Sequence, residues 1–117
     1  MRNDPLSARE VYYDGGCPVC RREIALYQGV AALSSVRWTD VSAPDADLAG
    51  LDRERALRRF HVRREDGALA SGAAAFTAIW RKLPYLRHVA RVVDTPPFAQ
   101  MAEIAYRMFL KVRKLWR

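Results

Sequence analysis

The chain has 117 residues, half of them hydrophobic and 28% charged, with twenty Lys and Arg against thirteen Asp and Glu for a net charge of +7. This length and balance suit one domain over residues 1–117 and exclude a disordered, collagen-like or low-complexity chain. No apolar run approaches the roughly 18–20 residues of a membrane span, MRNDPLSARE at the N-terminus has no secretory pattern, and two cysteines cannot staple a secreted scaffold, so a soluble, cytoplasmic monomer is expected.

Residues 1–8 carry no pattern and are expected to be flexible. Val11-Tyr12-Tyr13 is a β-branched and aromatic run that reads as a strand ending at Asp14-Gly15-Gly16. From Cys17 to about Leu33 the pattern is helical: Pro18 suits the first turn, and Cys20, Ile24, Tyr27 and Ala31 share one face. Val36 to Val41 is a second strand, and Ser42 to Leu51, with Pro44 and Gly50, reads as a loop. Asp52 is a candidate N-cap for a short helix over 53–59. Phe60 to Arg64 and Ala68 to Ser71, alternating around Asp66-Gly67, form the strongest hairpin signal in the chain. One helix then opens at Ser71-Gly72 and stops near Pro84, and another runs from Tyr85 to Val93. After Thr95-Pro96-Pro97, a C-terminal amphipathic helix spans 96–117. This order is the layout of a thioredoxin-like α/β fold, a mixed four-stranded sheet flanked by helices, here with additional C-terminal helices.

The informative feature is Cys17-Pro18-Val19-Cys20, set directly after a strand and at the start of a helix. Helical residues three apart lie on one face at a separation a disulfide accepts, so the pair can close and open with little backbone movement. At a helix N-terminus, unpaired N–H groups and the macrodipole favour an anion. A free thiol with its usual pKa is only about 3% thiolate at pH 7, and such a site raises that fraction. Cys17 is therefore the expected nucleophile. Cys20, one turn in on the apolar side, is expected to be more buried, with a raised pKa, and to act as the resolving cysteine. Arg21 and Arg22 either assist the thiolate or point into solvent. A zinc site needs more ligands than these two cysteines and the widely spaced His61 and His88 provide, so no metal is expected. Iron–sulfur binding would need a second chain or external thiols, and a purely structural pair would leave the local geometry unused.

Tyr13-Asp14-Gly15-Gly16-Cys17-Pro18-Val19-Cys20 resembles the signature of the DCC thiol-disulfide oxidoreductases, an Asp followed by two Cys. The resemblance continues through Trp38-Thr39-Asp40-Val41, Phe60-His61-Val62, Asp66-Gly67, Ser71-Gly72-Ala73-Ala74-Ala75-Phe76, Pro84, Pro96-Pro97 and Ile104-Ala105-Tyr106, covering about Val11 to Arg117. It implies a thioredoxin-like fold and protein-disulfide reductase-type activity, with no cofactor beyond a redox-active Cys17–Cys20 disulfide. The implied partners are a disulfide- or dithiol-containing protein or a small thiol, with an external reductant for turnover. Asp14 is either a proton relay to Cys20 or an acceptor for the turn's N–H groups. Tyr13, Gly15, Gly16 and Pro18 are candidate substrate contacts. Thioredoxins carry a cis-proline before the third strand; Leu57-Arg58-Arg59-Phe60-His61 has no proline, which makes Arg59 and Phe60 candidate contacts in its place. His61 is either structural or near the site.

Charge is unevenly spread: residues 1–52 hold five basic against eight acidic residues, residues 53–117 fifteen against five. In the last helix, Met101, Ile104, Ala105, Met108, Phe109, Val112, Leu115 and Trp116 form an apolar stripe, expected to complete the core, with Arg107, Lys111, Lys114 and Arg117 mainly opposite. The alternative functions are therefore a redox sensor whose Cys pair switches partner binding, or an anionic-surface binding module that contacts a membrane peripherally through this helix. No nucleic-acid partner is expected, because no reading motif is present and the aromatics fall at core-like spacings.

Overall fold

In a computed structural model that describes residues 4–115, the chain alternates strand and helix in the order expected. Strand β1 is Ala8–Tyr13, helix α1 Pro18–Gln28, strand β2 Arg37–Asp40 and helix α2 Arg53–Arg58. Strands β3 (His61–Arg64) and β4 (Leu69–Ser71) form the hairpin, followed by helices α3 (Ala73–Trp80), α4 (Leu86–Val93) and α5 (Phe98–Arg113). Local signals set several boundaries. Pro18 occupies the first turn of α1, and the Asp52 carboxylate accepts the Arg55 N–H to cap α2. Helix α1 ends at Gln28 rather than Leu33: the Gly29 N–H closes onto the Leu26 carbonyl and the Val30 N–H onto that of Tyr27, and at Val30 the backbone turns extended. A short 3-10 turn, Ala31–Leu33, then drops Leu33 into the core.

The sheet order is β2-β1-β3-β4. Strand β1 runs parallel to β2, with Val11 opposite Trp38, and antiparallel to β3, with Val11 opposite Val62. Strand β4 pairs antiparallel with β3. Because successive strand residues point to opposite faces, β1 feeds two cores. Val11 packs with Ile24 of α1, Val62 and Ile79 of α3, whereas Tyr12 packs with Val41, Leu48 and Ala56 of α2. Helices α1 and α3 thus cover one face and α2 the other, the thioredoxin-like arrangement.

Both ends depart from expectation. Residues 1–8 were expected to be flexible; residues 1–3 lie outside the described part, but from Asp4 onward the segment is tied down. Arg81, its side chain 9% exposed, bridges the Asp4 carboxylate at 2.8 Å and that of Asp94 at 2.7 Å. Ser7 is buried, and its carbonyl accepts the Glu65 N–H.

The apolar stripe of α5 does not complete the core. Met101, Ile104, Met108, Val112 and Leu115 are all at least 44% exposed; Trp116 lies outside the described residues. The inward face carries Ala102, Glu103, Tyr106, Phe109, Leu110 and Arg113, because polar and aromatic partners on the rest of the fold satisfy it. Among the described residues no helix is long and apolar enough to cross a membrane.

Replacing Arg81 by Met removes the shared cation of two partly buried carboxylates, leaving Asp4 the Leu6 N–H and Asp94 the Thr77 hydroxyl, and the expected loss of stability is about 2 kcal/mol, read from the midpoint of urea unfolding.

Candidate active site

The turn from β1 into α1 is built by hydrogen bonds to two carboxylates. The Asp14 carboxylate, buried, accepts the Gly16 N–H at 2.9 Å, and its main-chain carbonyl accepts the Cys17 N–H at 3.1 Å. Of the two roles open to Asp14, the turn role is therefore occupied. From the neighbouring strand, Asp40 accepts the Gly15 N–H at 2.9 Å and also the Ser42 N–H and hydroxyl. Burial pushes the Asp40 carboxyl up, but the bonds from Ser42 and Gly15 outweigh it and hold the group below its ordinary range. A Cβ on Gly15 would sit 2.0 Å from Asp40 Oδ2, so only glycine fits this approach.

Cys17 is the N-cap of α1, and its Sγ accepts the Cys20 N–H at 3.5 Å. The two cysteines lie 3.0 Å apart as free thiols. Their burial is the reverse of that expected: Cys17 is fully buried, and Cys20 is the partly exposed one. Cap geometry is the cause, since it folds the Cys17 side chain back over the first turn while Cys20 projects into an adjoining pocket. Even so, burial, with the hydrogen bond and charge of Cys17, pushes the Cys20 thiol up to about 12, and Arg113 pulls against it.

That pocket gathers residues far apart in sequence. Asp14 and Cys20 line it with Arg59, Phe60, Tyr106 and Arg113, and Phe76 and Phe109 complete its aromatic wall. Phe60 stacks on Phe76 with ring centroids 4.6 Å apart, and the Phe60 N–H donates to the Tyr106 hydroxyl at 2.6 Å. The Arg59 guanidinium lies 5.2 Å from the Tyr106 ring centroid and pairs with Glu103 at 2.8 Å. Gly72, at φ 66°, lets the chain pass beneath that pair: a Cβ there would meet Arg59 Nη2 at 2.3 Å. Arg59 and Phe60 thus immediately precede β3 and line the pocket beside Cys20.

Other expected site residues lie elsewhere. Tyr13 packs on the core with Val11, and Pro18 sits at the exposed start of α1, in a separate groove with Val19 and Leu26. Gly16 is exposed beside the turn. Arg21 donates to the Gly15 carbonyl at 3.4 Å on the surface, and Arg22 is exposed. His61 is buried in β3 with Nδ1 2.8 Å from the Arg59 carbonyl, and burial lowers its pKa, so it is structural. Sequence reasoning missed Asp40, Glu103, Tyr106 and Arg113. Asp40 and Tyr106 fall in stretches that carry the family resemblance, and the spacing of Tyr106, Phe109 and Arg113, three and then four residues apart on one face, was the signal for Arg113.

A βαβ unit joined to an antiparallel hairpin and helix, with Cys-x-x-Cys capping the first helix, defines a thioredoxin-like domain equipped with a redox-type cysteine pair. The chain belongs to the DCC1-like thiol-disulfide oxidoreductase family, whose model matches residues 11–117. No curated protein and no solved structure matches it.

Gly15→Ala forces the Asp40 carboxylate out of its place. The expected cost is about 1–3 kcal/mol of stability, from the urea midpoint, with loss of any exchange activity.

Proposed function

We propose that the protein is a dithiol–disulfide oxidoreductase of the protein-disulfide reductase type. The observation that carries this reading is the pair itself: Cys17 capping α1, and Cys20 one turn on, 3.0 Å away and facing an aromatic pocket. Cys17, as thiolate, attacks one sulfur of a substrate disulfide. A Cys17–substrate bond forms, the substrate S–S bond breaks, and the departing thiolate takes up a proton. Cys20 then loses its proton and attacks Cys17 Sγ, forming the Cys17–Cys20 disulfide and releasing the second substrate thiol. The substrate gains two electrons and two protons; the pair loses them. An external dithiol restores the pair, which suits the reducing cytoplasm. Cys17 has no exposed surface, so its sulfur must be uncovered before substrate reaches it. Arg59 and Phe60 then present the pocket's charged and aromatic wall to the substrate.

With dithiothreitol as reductant, Cys17→Ser is expected to reduce insulin no faster than dithiothreitol alone, and Cys20→Ser to accumulate a mixed disulfide seen by mass spectrometry. Full activity of Cys17→Ser would end this reading, and trapping on Cys20 in that variant would reverse the order of attack.

The outward stripe of α5 favours a second role, peripheral binding to an anionic membrane surface. Ile104 and Met108 are exposed on α5, Leu115 just beyond its end, and Val89 and Val92 on α4. Exposed Arg87, Arg91, Lys111 and Lys114 accompany them, while the only acidic residues of the two-helix region, Asp94 and Glu103, are paired with Arg81 and Arg59. Like charges oppose a second copy on this face; anionic headgroups complement it. Phosphatidylserine vesicles should pellet the protein and pure phosphatidylcholine vesicles should not. Replacing Lys111 and Lys114 by Ala should weaken the binding roughly 30-fold, at about 1 kcal/mol per basic residue. Equal binding to both vesicle types would refute it.

A further inference from the structure

Arg113, in the last turn of α5, is 8% exposed and lies 93 residues beyond Cys20 in sequence. Its Nη1–H donates toward Cys20 Sγ at 3.9 Å and its Nη2–H to the Leu57 carbonyl at 2.9 Å. Arg113 takes part in none of the ion pairs among the described residues, whereas Arg81, the other deeply set arginine, is held by two carboxylates. A cation removed from water is costly unless charge or hydrogen bonds compensate it, and here the hydrogen bonds run to main-chain carbonyls and one thiol.

We propose that Arg113 is a catalytic residue of the second half of the exchange: it stabilises the Cys20 thiolate as Cys20 turns to attack the mixed disulfide on Cys17. This rests on the oxidoreductase reading. Burial suppresses ionisation of Cys20, and while Cys17 is free its hydrogen bond and charge add to that suppression. Once Cys17 Sγ is bonded to substrate sulfur, it carries no charge and those two oppositions end; Arg113 remains. Cys20 thus stays a thiol until there is a disulfide to attack. The step balances: the Cys20 S–H proton leaves to solvent, the Cys20–Cys17 bond forms, the Cys17–substrate bond breaks, and the substrate thiolate departs and is protonated. The other charged or titratable groups on this pocket are Asp14, Glu23 of α1, Arg59, and Tyr106 of α5. Glu23 is bonded to the Tyr27 hydroxyl and Arg59 to Glu103. All of them stay constant in the test.

The test has two arms. In the first, Cys17→Ser removes the suppressing neighbour and iodoacetamide alkylation of Cys20 is followed from neutral to alkaline pH. The midpoint is expected to lie clearly below the value of about 12 held in the intact pair. Adding Arg113→Gln should raise it by about 1–3 units, and Arg113→Lys should restore most of the difference. In the second arm, stopped-flow release of product from a preformed mixed disulfide is compared in the otherwise wild-type chain. Arg113→Gln should slow release roughly 3- to 40-fold at neutral pH, from the lost thiolate fraction partly offset by greater nucleophilicity. The gap should close at alkaline pH, and Cys17's initial attack should be unchanged.

An unmoved midpoint in the Gln variant, or a Lys variant no better than Gln, overturns the proposal. Should the Gln variant not fold, Arg113→Met, which keeps the length of the side chain without its charge, takes its place in the Cys17→Ser chain, and an unmoved midpoint there refutes the proposal. Failure of the Cys20→Ser chain to form any mixed disulfide would instead refute the oxidoreductase reading, and the alkylation arm would still report on Arg113.

Discussion

The site depends on how α5 docks. Its inward face meets the segment before β3 at one hydrogen bond, the Phe60 N–H to the Tyr106 hydroxyl at 2.6 Å. That bond satisfies a main-chain donor in a partly buried setting, worth about 1 kcal/mol net and more to leave unmade. Around it Phe60 stacks on Phe76, Arg59 lies over Tyr106, and Glu103 accepts from Arg59 and from the Ala73 N–H. One helix thereby ties together the start of β3, the start of α3 and the end of α2, where Arg113 holds the Leu57 carbonyl. The hydrogen bonds of the cysteine turn come from β1, α1 and β2, whereas the pocket beside it takes Tyr106, Phe109 and Arg113 from α5.

The charge asymmetry resolves into different tasks. The acidic-leaning first 52 residues hold the cysteines, and their carboxylates Asp14 and Asp40 fix the turn by accepting main-chain N–H groups. Of the basic second part, Arg81 is an internal latch, Arg59 and Arg113 face the pocket, and Arg87, Arg91, Lys111 and Lys114 are exposed on the outer helices. A net charge of +7 is therefore not one property of the surface. The cations nearest Cys20 act in a partly buried setting where salt screens them little; the outer ones are open to it.

Much of the fold was legible because it rests on local chemistry. Pro18 after a capping Cys17, Asp52 before α2 and Asp66-Gly67 between two short strands each set a boundary by themselves. The direction in which α5 faces was not legible. Periodicity reveals that an apolar stripe exists, and burial is its usual meaning, but here the face carrying Tyr106 and Arg113 finds polar partners and turns inward instead. The Asp40 latch was hidden for another reason: it depends on β1 and β2 running parallel with Tyr13 opposite Asp40, a relation no local pattern encodes. The reversed burial of the cysteines is also three-dimensional, since it follows from the rotamer a capping sulfur takes.

In the exchange proposed above, Arg113 bears on the rate more than on the direction. A guanidinium stabilises a neighbouring group only to the extent that the group is charged. With its thiol pushed up to about 12, Cys20 in the resting reduced pair is uncharged at neutral pH, so Arg113 adds little to the free energy of the reduced form. The disulfide form has no charge to stabilise either. Only in the mixed disulfide, where Cys20 must ionise to react and Cys17 no longer opposes it, does the buried cation have an anion to meet. A charge placed beside the resolving sulfur can therefore speed the second half of the exchange without committing the pair to act as oxidant or reductant.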